Sequence, residues 1–219
     1  MKEMTLAQHF TEMKNYLKSI GLFLIFTSII IFFFSEYLIL QLLSYYGLEN
    51  IIVTSPTAYI LMKLYLSVIL GLIITIPYFM YKLNKFLALK QKNLKKVVLY
   101  SAILAFLGAI FGFTIFSKYT IEYFLIVPEM IMPMWTLDSV IKYVLFITVS
   151  FAIIAQLILI IPLLVKNNII KKSTLKNSRG AIFVGLLILA SILTPPDPWT
   201  QIAMIIPMYA CFETGILLS

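Results

Sequence analysis

Six long apolar runs, separated by polar and basic segments, are the feature that most constrains how this chain folds. A segment inside a bilayer must satisfy its backbone hydrogen bonds internally, so each run is expected to form an α-helix. A helix needs about 20 apolar residues to cross the hydrocarbon core. The runs cover approximately residues 17–43, 58–81, 97–116, 140–165, 181–193 and 202–218. The sequence therefore predicts an all-α integral membrane protein with six transmembrane helices.

The amino-acid composition excludes a soluble globular protein. Of the 219 residues, 62% are hydrophobic and only 12% are charged, whereas a soluble domain carries about 25% charged residues. The first apolar run follows a polar segment and is too long for the core of a signal peptide, so it is expected to remain as a span. The longest segment between two runs, 117–139, is too short for a further domain. Residues 1–219 are therefore interpreted as a single membrane domain.

The fifth and sixth runs are short for membrane spans. The 13 residues of 181–193 would extend about 20 Å as a helix, less than the hydrocarbon core of about 30 Å. Either the bilayer thins beside this run, or the turn that follows lies below the membrane surface. That turn contains Pro195, Pro196 and Asp197. It is expected to be a rigid structural element in which Asp197 caps the start of the sixth helix.

The distribution of lysine and arginine predicts the orientation in the membrane. Fourteen of the 17 basic residues lie before or at the start of the first run, between runs two and three, or between runs four and five. Because basic residues are retained on the cytoplasmic side, these segments and both termini are expected to be cytoplasmic. Topology also accounts for the net charge of +8, so no nucleic-acid partner is expected.

The chain lacks the residue sets of catalytic and metal sites. It has one histidine and one cysteine, and it contains no glycine-rich phosphate loop, HExxH motif or serine–histidine–aspartate set. Cys211 lies within an apolar run, where a buried packing residue is the simplest interpretation. We expect no enzymatic activity, no metal and no cofactor.

Two segments carry a specific sequence pattern. The segment after the fifth run consists of Thr194, Pro195, Pro196, Asp197, Gln201, Ile206, Pro207, Met208, Tyr209, Phe212, Glu213 and Gly215. The segment near the start consists of His9, Phe10, Glu12, Met13 and Lys14. Together they closely resemble the end and the opening of TatC, the multi-spanning receptor subunit of the twin-arginine protein translocase. Further landmarks of that family match residues around run two and before run five, so the resemblance covers nearly the whole chain.

Three departures from the family pattern affect charged positions. Lys95 stands where the family has an acid between spans two and three, and Gln156 stands where it has an intramembrane glutamate in span four. Lys14 and Tyr16 replace arginines near the N-terminus. Because Lys95 adds a positive charge where a carboxylate is usual, the binding of a dicationic ligand is expected to be weaker than is usual for the family.

The resemblance implies that Glu12, with His9, Lys14 and Lys95 around it, binds the signal peptides of folded cargo. In the family this acid helps bind the two arginines of the signal, and guanidinium and carboxylate groups form bidentate, charge-assisted hydrogen bonds. From the residues alone, Glu12 can equally be a solvated acid that pairs with Lys14 or Lys95.

The resemblance also implies a docking site for single-span partner subunits of the TatA/TatB type. Gln156, Thr194 and Gln201 are expected to form one polar patch within the membrane, where a polar residue of a partner gains a hydrogen bond. Glu213 is expected near the middle of the bilayer, protonated or hydrogen-bonded. The alternative for Gln156 is a packing hydrogen bond between helices of the same chain.

The function implied by the resemblance is recognition of twin-arginine signal peptides and docking of partner subunits for export driven by the proton gradient. It implies a multi-pass protein of the cell membrane that forms a homo- or hetero-oligomer and contacts membrane lipids; an energy-transducing organellar membrane stays open. One alternative is a small secondary transporter that uses Glu213 and Gln156 around a substrate. Another is a membrane assembly factor without signal recognition.

Overall fold

Apolar helices form nearly all of the backbone in the computed structural model, which describes residues 6–47, 55–86, 94–125, 136–193 and 198–219, with the backbone alone for residues 6–12, 56, 124, 125 and 199. The helices, in chain order, are α1 (Leu6–Tyr46), α2 (Pro56–Phe86), α3 (Leu94–Ile110), a π segment (Phe111–Phe116), α4 (Ser117–Leu125), α5 (Leu137–Ile154), α6 (Leu157–Lys166), α7 (Lys172–Asn177), α8 (Arg179–Leu193) and α9 (Pro198–Leu218). The predicted all-α class is confirmed.

The predicted spans correspond to helical stretches of the structure. Five stretches of the described residues are long and apolar enough to cross a membrane: Met13–Tyr46, Thr57–Phe86, Leu94–Tyr123, Leu137–Lys166 and Thr200–Leu218. The third joins α3, the π segment and α4, and the fourth joins α5 and α6. The remaining predicted span, the fifth run at 181–193, corresponds to the shorter helix α8. We call the end of the fold that carries Lys14, Lys95 and Lys166 the basic end.

The two short spans differ in length. The 15 residues of α8 extend about 22 Å, so this helix is short as predicted. Helix α9 begins at Pro198, four residues before the predicted start, and the 19 residues of Thr200–Leu218 make it the shortest of the five full-length stretches. Proline fits the first position of a helix because that residue needs no hydrogen-bond donor.

Helices α1 and α2 pair along their length as an antiparallel hairpin. Near the basic end, the hydroxyls of Ser19 and Tyr78 lie 2.6 Å apart. Further along, a Cβ on Gly71 would lie 2.6 Å from Ser28 Oγ, so the absence of a side chain there lets the helices approach closely. The hairpin therefore presents one continuous two-helix wall to the rest of the protein.

Helix α5 lies at the centre of the fold and takes part in both main hydrophobic clusters. Val140, Ile141 and Val144 are fully buried against α1 and α2, whereas Ile147 is fully buried in the cluster that includes α8 and α9. The third span presses against it closely, because a Cβ on Gly108 would lie 2.4 Å from the Phe151 carbonyl oxygen. The outer parts of the molecule are thus organised around one buried helix.

Helix α9 is held against α6, and α8 is held mainly by α9. A Cβ on Gly215 would lie 2.9 Å from the carbonyl oxygen of Leu157, so the two backbones touch at this level. Helix α8 buries only Leu186 and Ala190, and its remaining apolar side chains are mostly exposed. Helix α8 is therefore attached through few buried side chains, whereas α9 buries Met204, Met208, Phe212 and Ile216 in the second hydrophobic cluster.

Candidate functional site

Gln156 lies at the break between α5 and α6, where Ala155 and Gln156 form a turn between the two helices. Its side chain is buried, and Ser101 Oγ on α3 donates to Gln156 Oε1 over 2.8 Å. Gln156 Nε2 in turn donates to the carbonyl oxygens of Ser101 at 3.3 Å and Ala152 at 3.2 Å. Both ends of the amide are used, so Gln156 is a neutral hydrogen-bonded link between the third and fourth spans.

Gln201 lies in the first turn of α9 and faces α8. Its Nε2 atom donates to the Leu187 carbonyl oxygen over 3.3 Å, and the side chain is partly exposed. This single bond is long for an N–H···O contact and leaves the amide oxygen and the second amide hydrogen for another partner. Gln201 is therefore the one predicted docking residue of the described chain that keeps hydrogen-bonding capacity at an exposed position.

The structure does not bring Gln156 and Gln201 into one polar patch, so this expectation is wrong for that pair. Leu157, next to Gln156, touches α9 at Gly215, and Gln201 precedes Gly215 by 14 residues. Fourteen residues of helix correspond to about 21 Å. The packing register of α6 against α9 therefore places the two residues at different levels of the fold. Thr194, the third member, lies outside the described residues, as do Pro195, Pro196 and Asp197.

Glu213 is hydrogen-bonded on both carboxylate oxygens. Arg179 Nη2 lies 2.7 Å from Glu213 Oε2, and the Tyr209 hydroxyl donates to Glu213 Oε1 over 2.9 Å. The ring of Phe183 on α8 packs edge-on against Tyr209 at 5.7 Å between centroids. Measured along α9, Glu213 is about 22 Å from Pro198 and about 7 Å from Leu218. It therefore lies near the basic end of its helix, paired with an arginine, and its expected place near the middle of the bilayer stays a prediction.

Arg179 pairs with Glu213, a contact that the sequence did not reveal. It is the first residue of α8, and Glu213 is the sixth residue from the end of α9. Opposite charges at neighbouring ends of two antiparallel short helices are the signal that could have indicated the pair. The result is an ion pair that joins α8 to α9 across 34 positions of sequence.

The predicted signal-peptide residues lie at the basic end. Lys14 on α1 and Lys95 on α3 are exposed, and the backbone of His9 and Glu12 belongs to the first turns of α1. Positions 12 and 16 share a helix face because they are four residues apart. Tyr16 packs edge-on against Phe86 at 6.0 Å. The face of α1 that carries position 12 is thus the face that packs, one turn further along, against the end of α2. The role of the predicted signal-peptide residues stays a prediction.

A second charged pair lies toward the other end of the α1–α2 hairpin. Lys63 Nζ is 2.7 Å from Glu36 Oε2 and 4.9 Å from the centroid of the Tyr59 ring. The Glu36 side chain is 65% exposed and that of Lys63 is 19% exposed. The pair is therefore a link between α1 and α2 at their surface. The described residues contain no cluster of three or more His, Cys, Asp or Glu side chains that could hold a metal ion.

Comparisons with known proteins agree on one family. A family model described as "Sec-independent protein translocase protein (TatC)" matches residues 8–207. The protein of that name from Rickettsia prowazekii is 30% identical over 234 residues, which cover 100% of this chain and 93% of the relative. The protein of the same name from Carboxydothermus hydrogenoformans is 25% identical over 228 residues, which cover 100% of this chain and 93% of the relative.

A solved structure has the same fold. The crystal structure of the twin-arginine translocase receptor TatC in the detergent DDM superposes with a TM-score of 0.85 and 25% sequence identity, covering 96% of this chain and 98% of that chain. The similarity therefore extends over the whole arrangement of helices and is not limited to a motif.

Proposed function

Because the chain belongs to the TatC family and is a multi-pass membrane subunit of the twin-arginine translocase, we propose that it recognises twin-arginine signal peptides of folded proteins and docks single-span subunits for export driven by the proton gradient. The family is a component of a protein translocase that works with other subunits, and it is not an enzyme family. Its members are multi-pass proteins of the inner or plasma membrane, which fits the five full-length apolar stretches.

The observation that carries partner docking is the surface formed by α8 and the start of α9. The side chains of Val184, Ile188 and Ile192 on α8 are each more than half exposed, and Gln201 lies beside them with spare hydrogen-bonding capacity. Lipid tails cannot satisfy an amide, whereas a polar side chain on a partner helix can. This surface therefore fits a single transmembrane helix that carries one polar residue.

Signal recognition is supported by the arrangement of charge at the basic end. A peptide with two arginines is repelled by the lysines there unless a carboxylate binds it directly. Position 12 supplies a carboxylate on the first turns of α1, and the forked guanidinium group suits a bidentate contact with it. Lys95 lies at the second position of α3. The site we propose therefore has one carboxylate, at position 12, and a lysine at position 95 that repels the arginines of the signal peptide.

The transporter alternative is less well supported, because the residues it would use already have internal partners. Gln156 is buried and bonded to Ser101, and both oxygens of Glu213 accept hydrogen bonds from Arg179 and Tyr209. A coupling ion would have to displace those partners. The assembly-factor alternative differs from our proposal only in signal recognition, so an experiment on signal binding decides between them.

Photo-crosslinking to a synthetic signal peptide in proteoliposomes tests the proposal. We expect the wild-type protein to crosslink to a peptide with two arginines more strongly than to the same peptide with two lysines, and Glu12→Ala to abolish the difference. Lys95→Glu should strengthen crosslinking about five-fold, since a charge-assisted contact contributes about 1 kcal/mol or more. The matched control is Lys96→Glu, at the adjacent exposed lysine. Equal crosslinking of both peptides to the wild-type protein would favour the assembly factor.

A further inference from the structure

An apolar groove lies near the basic end of the protein, between α3, α6 and the end of α9. Its volume is about 440 Å³, and its walls include Ile103, Leu104, Leu159, Pro162 and Leu218. The other two lining groups of note are Tyr100 on α3 and Lys166, the last residue of α6. The groove is therefore an apolar depression in the protein surface, with the polar groups of Tyr100 and Lys166 at one end.

Packed contacts on both sides hold the walls of this groove in place. The hydrogen bonds between Ser101 and Gln156 link α3 to the start of α6. Leu163, which lines the groove, is buried in one cluster with Val97 of α3 and Met80 of α2. Because the walls are fixed by the core of the protein, the groove does not depend on a ligand for its formation.

The polar end of the groove is positively charged. Lys166 is exposed and takes part in none of the three ion pairs among the described residues. Lys96 is also exposed and lies one helical turn from Tyr100 on the same face of α3. Near the end of α9, the Glu213 carboxylate is already bonded to Arg179, and the Ser219 backbone oxygen accepts from Lys172. An anion at Lys166 would thus meet uncompensated positive charge.

We propose that this groove binds one anionic phospholipid of the membrane leaflet at the basic end, with an acyl chain along the apolar walls and the phosphate at Lys166. Basic pockets between transmembrane helices on the cytoplasmic side suit acidic headgroups. A partner helix is a poor occupant, because a helix about 10 Å across fills 440 Å³ within about one turn. Tyr100, whose side chain is half-exposed, adds a hydroxyl at the level where a headgroup meets the chain.

Native mass spectrometry of the purified protein, delipidated and then titrated with phosphatidylglycerol, tests the proposal. We expect the wild-type protein to retain one phosphatidylglycerol at least five-fold better than phosphatidylcholine with the same acyl chains. Lys166→Gln should remove this preference, whereas the control Lys176→Gln, at an exposed lysine of α7, should preserve it. Equal retention of the two lipids by the wild-type protein, or an unchanged preference in Lys166→Gln, would overturn the proposal.

A second pair of variants tests the apolar walls independently of charge. Leu159→Trp fills the groove and should lower retention of phosphatidylglycerol at least five-fold, whereas Ile153→Trp, at a side chain that is 56% exposed on α5, should leave it unchanged. Circular dichroism establishes that both variants are folded. If Leu159→Trp retains the lipid, the assignment of the occupant is wrong. The assignment is also wrong if this variant keeps the lipid and instead loses a partner subunit or a second copy of the chain.

Discussion

Arg179 and Glu213 join the ends of the two short helices α8 and α9, with Nη2 and Oε2 2.7 Å apart. Because α8 buries only two side chains, this ion pair and the packing of the Phe183 ring against Tyr209 are the specific contacts that hold its start against α9. The pair lies at the basic end, whereas the docking surface around Gln201 lies at the other end of the same two helices. Its role is therefore to hold the surface that we propose for partner subunits.

Glu213→Ala should lower the free energy of unfolding by about 1–2 kcal/mol, because it removes the charge-assisted hydrogen bond from Arg179 and the acceptor of the Tyr209 hydroxyl. The double variant with Arg179→Ala should lose less than the sum of the two single variants, which a double-mutant cycle on melting in detergent measures. Asp138→Ala is the matched control, since its pair with Lys142 is similarly exposed but lies within one helix. That control should change stability by less than about 0.5 kcal/mol; an equal loss at both pairs would contradict a joining role.

Gln156→Leu should lower the melting temperature while leaving recovery of partner subunits unchanged. The substitution removes three hydrogen bonds and leaves the Ser101 hydroxyl without its acceptor in the core, at a loss of about 1–3 kcal/mol. Ser101→Ala should be milder, and combining it with Gln156→Leu should add little further loss. Reduced partner recovery at an unchanged melting temperature would instead place Gln156 in docking.

Gln201→Leu should reduce co-purification of single-span subunits without unfolding the protein. A hydrogen bond between helices in a membrane is worth about 0.6–2 kcal/mol, which corresponds to about a 3- to 30-fold loss of affinity. Gln41→Leu is the control, because Gln41 is an exposed glutamine on α1 whose Nε2 likewise makes one long hydrogen bond of 3.3 Å. Equal losses from the two variants would mean that the effect is not specific to the docking surface.

Gly108→Ala should destabilise the protein by about 1–3 kcal/mol through overpacking. The new Cβ would meet the Phe151 carbonyl oxygen at 2.4 Å and the Ala155 Cβ at 2.9 Å, and backbone atoms of the central helix cannot move aside as a side chain can. Gly185→Ala on α8 is the control, since nothing lies within 4 Å of its Cβ position. It should leave stability unchanged or raise it by up to about 1 kcal/mol, because alanine is the better helix former. Thermal melting of both variants gives the comparison.

Helix content and the number and approximate bounds of the spans could be predicted from the chain alone. Each of the six runs lies within a helical stretch of the structure, and the shortness of α8 was expected from the length of the fifth run, 181–193. The family could also be predicted, because its specific pattern around residues 194–215 lies within a short stretch of sequence. These features are local, since hydrophobic length and helical hydrogen bonding depend on neighbouring residues.

The partners of the membrane-embedded polar groups were decided only by the tertiary structure. Ser101 and Gln156 are 55 positions apart, and Arg179 and Glu213 are 34 positions apart. Which of these groups meet depends on the register and rotation of one helix against another, and that register is set where glycines such as Gly108 and Gly215 let backbones touch. Sequence by itself determined which segments enter the membrane, because burial in lipid acts on each segment separately. Close packing between distant segments decided which polar side chains are paired and which, like Gln201, keep hydrogen-bonding capacity for a partner.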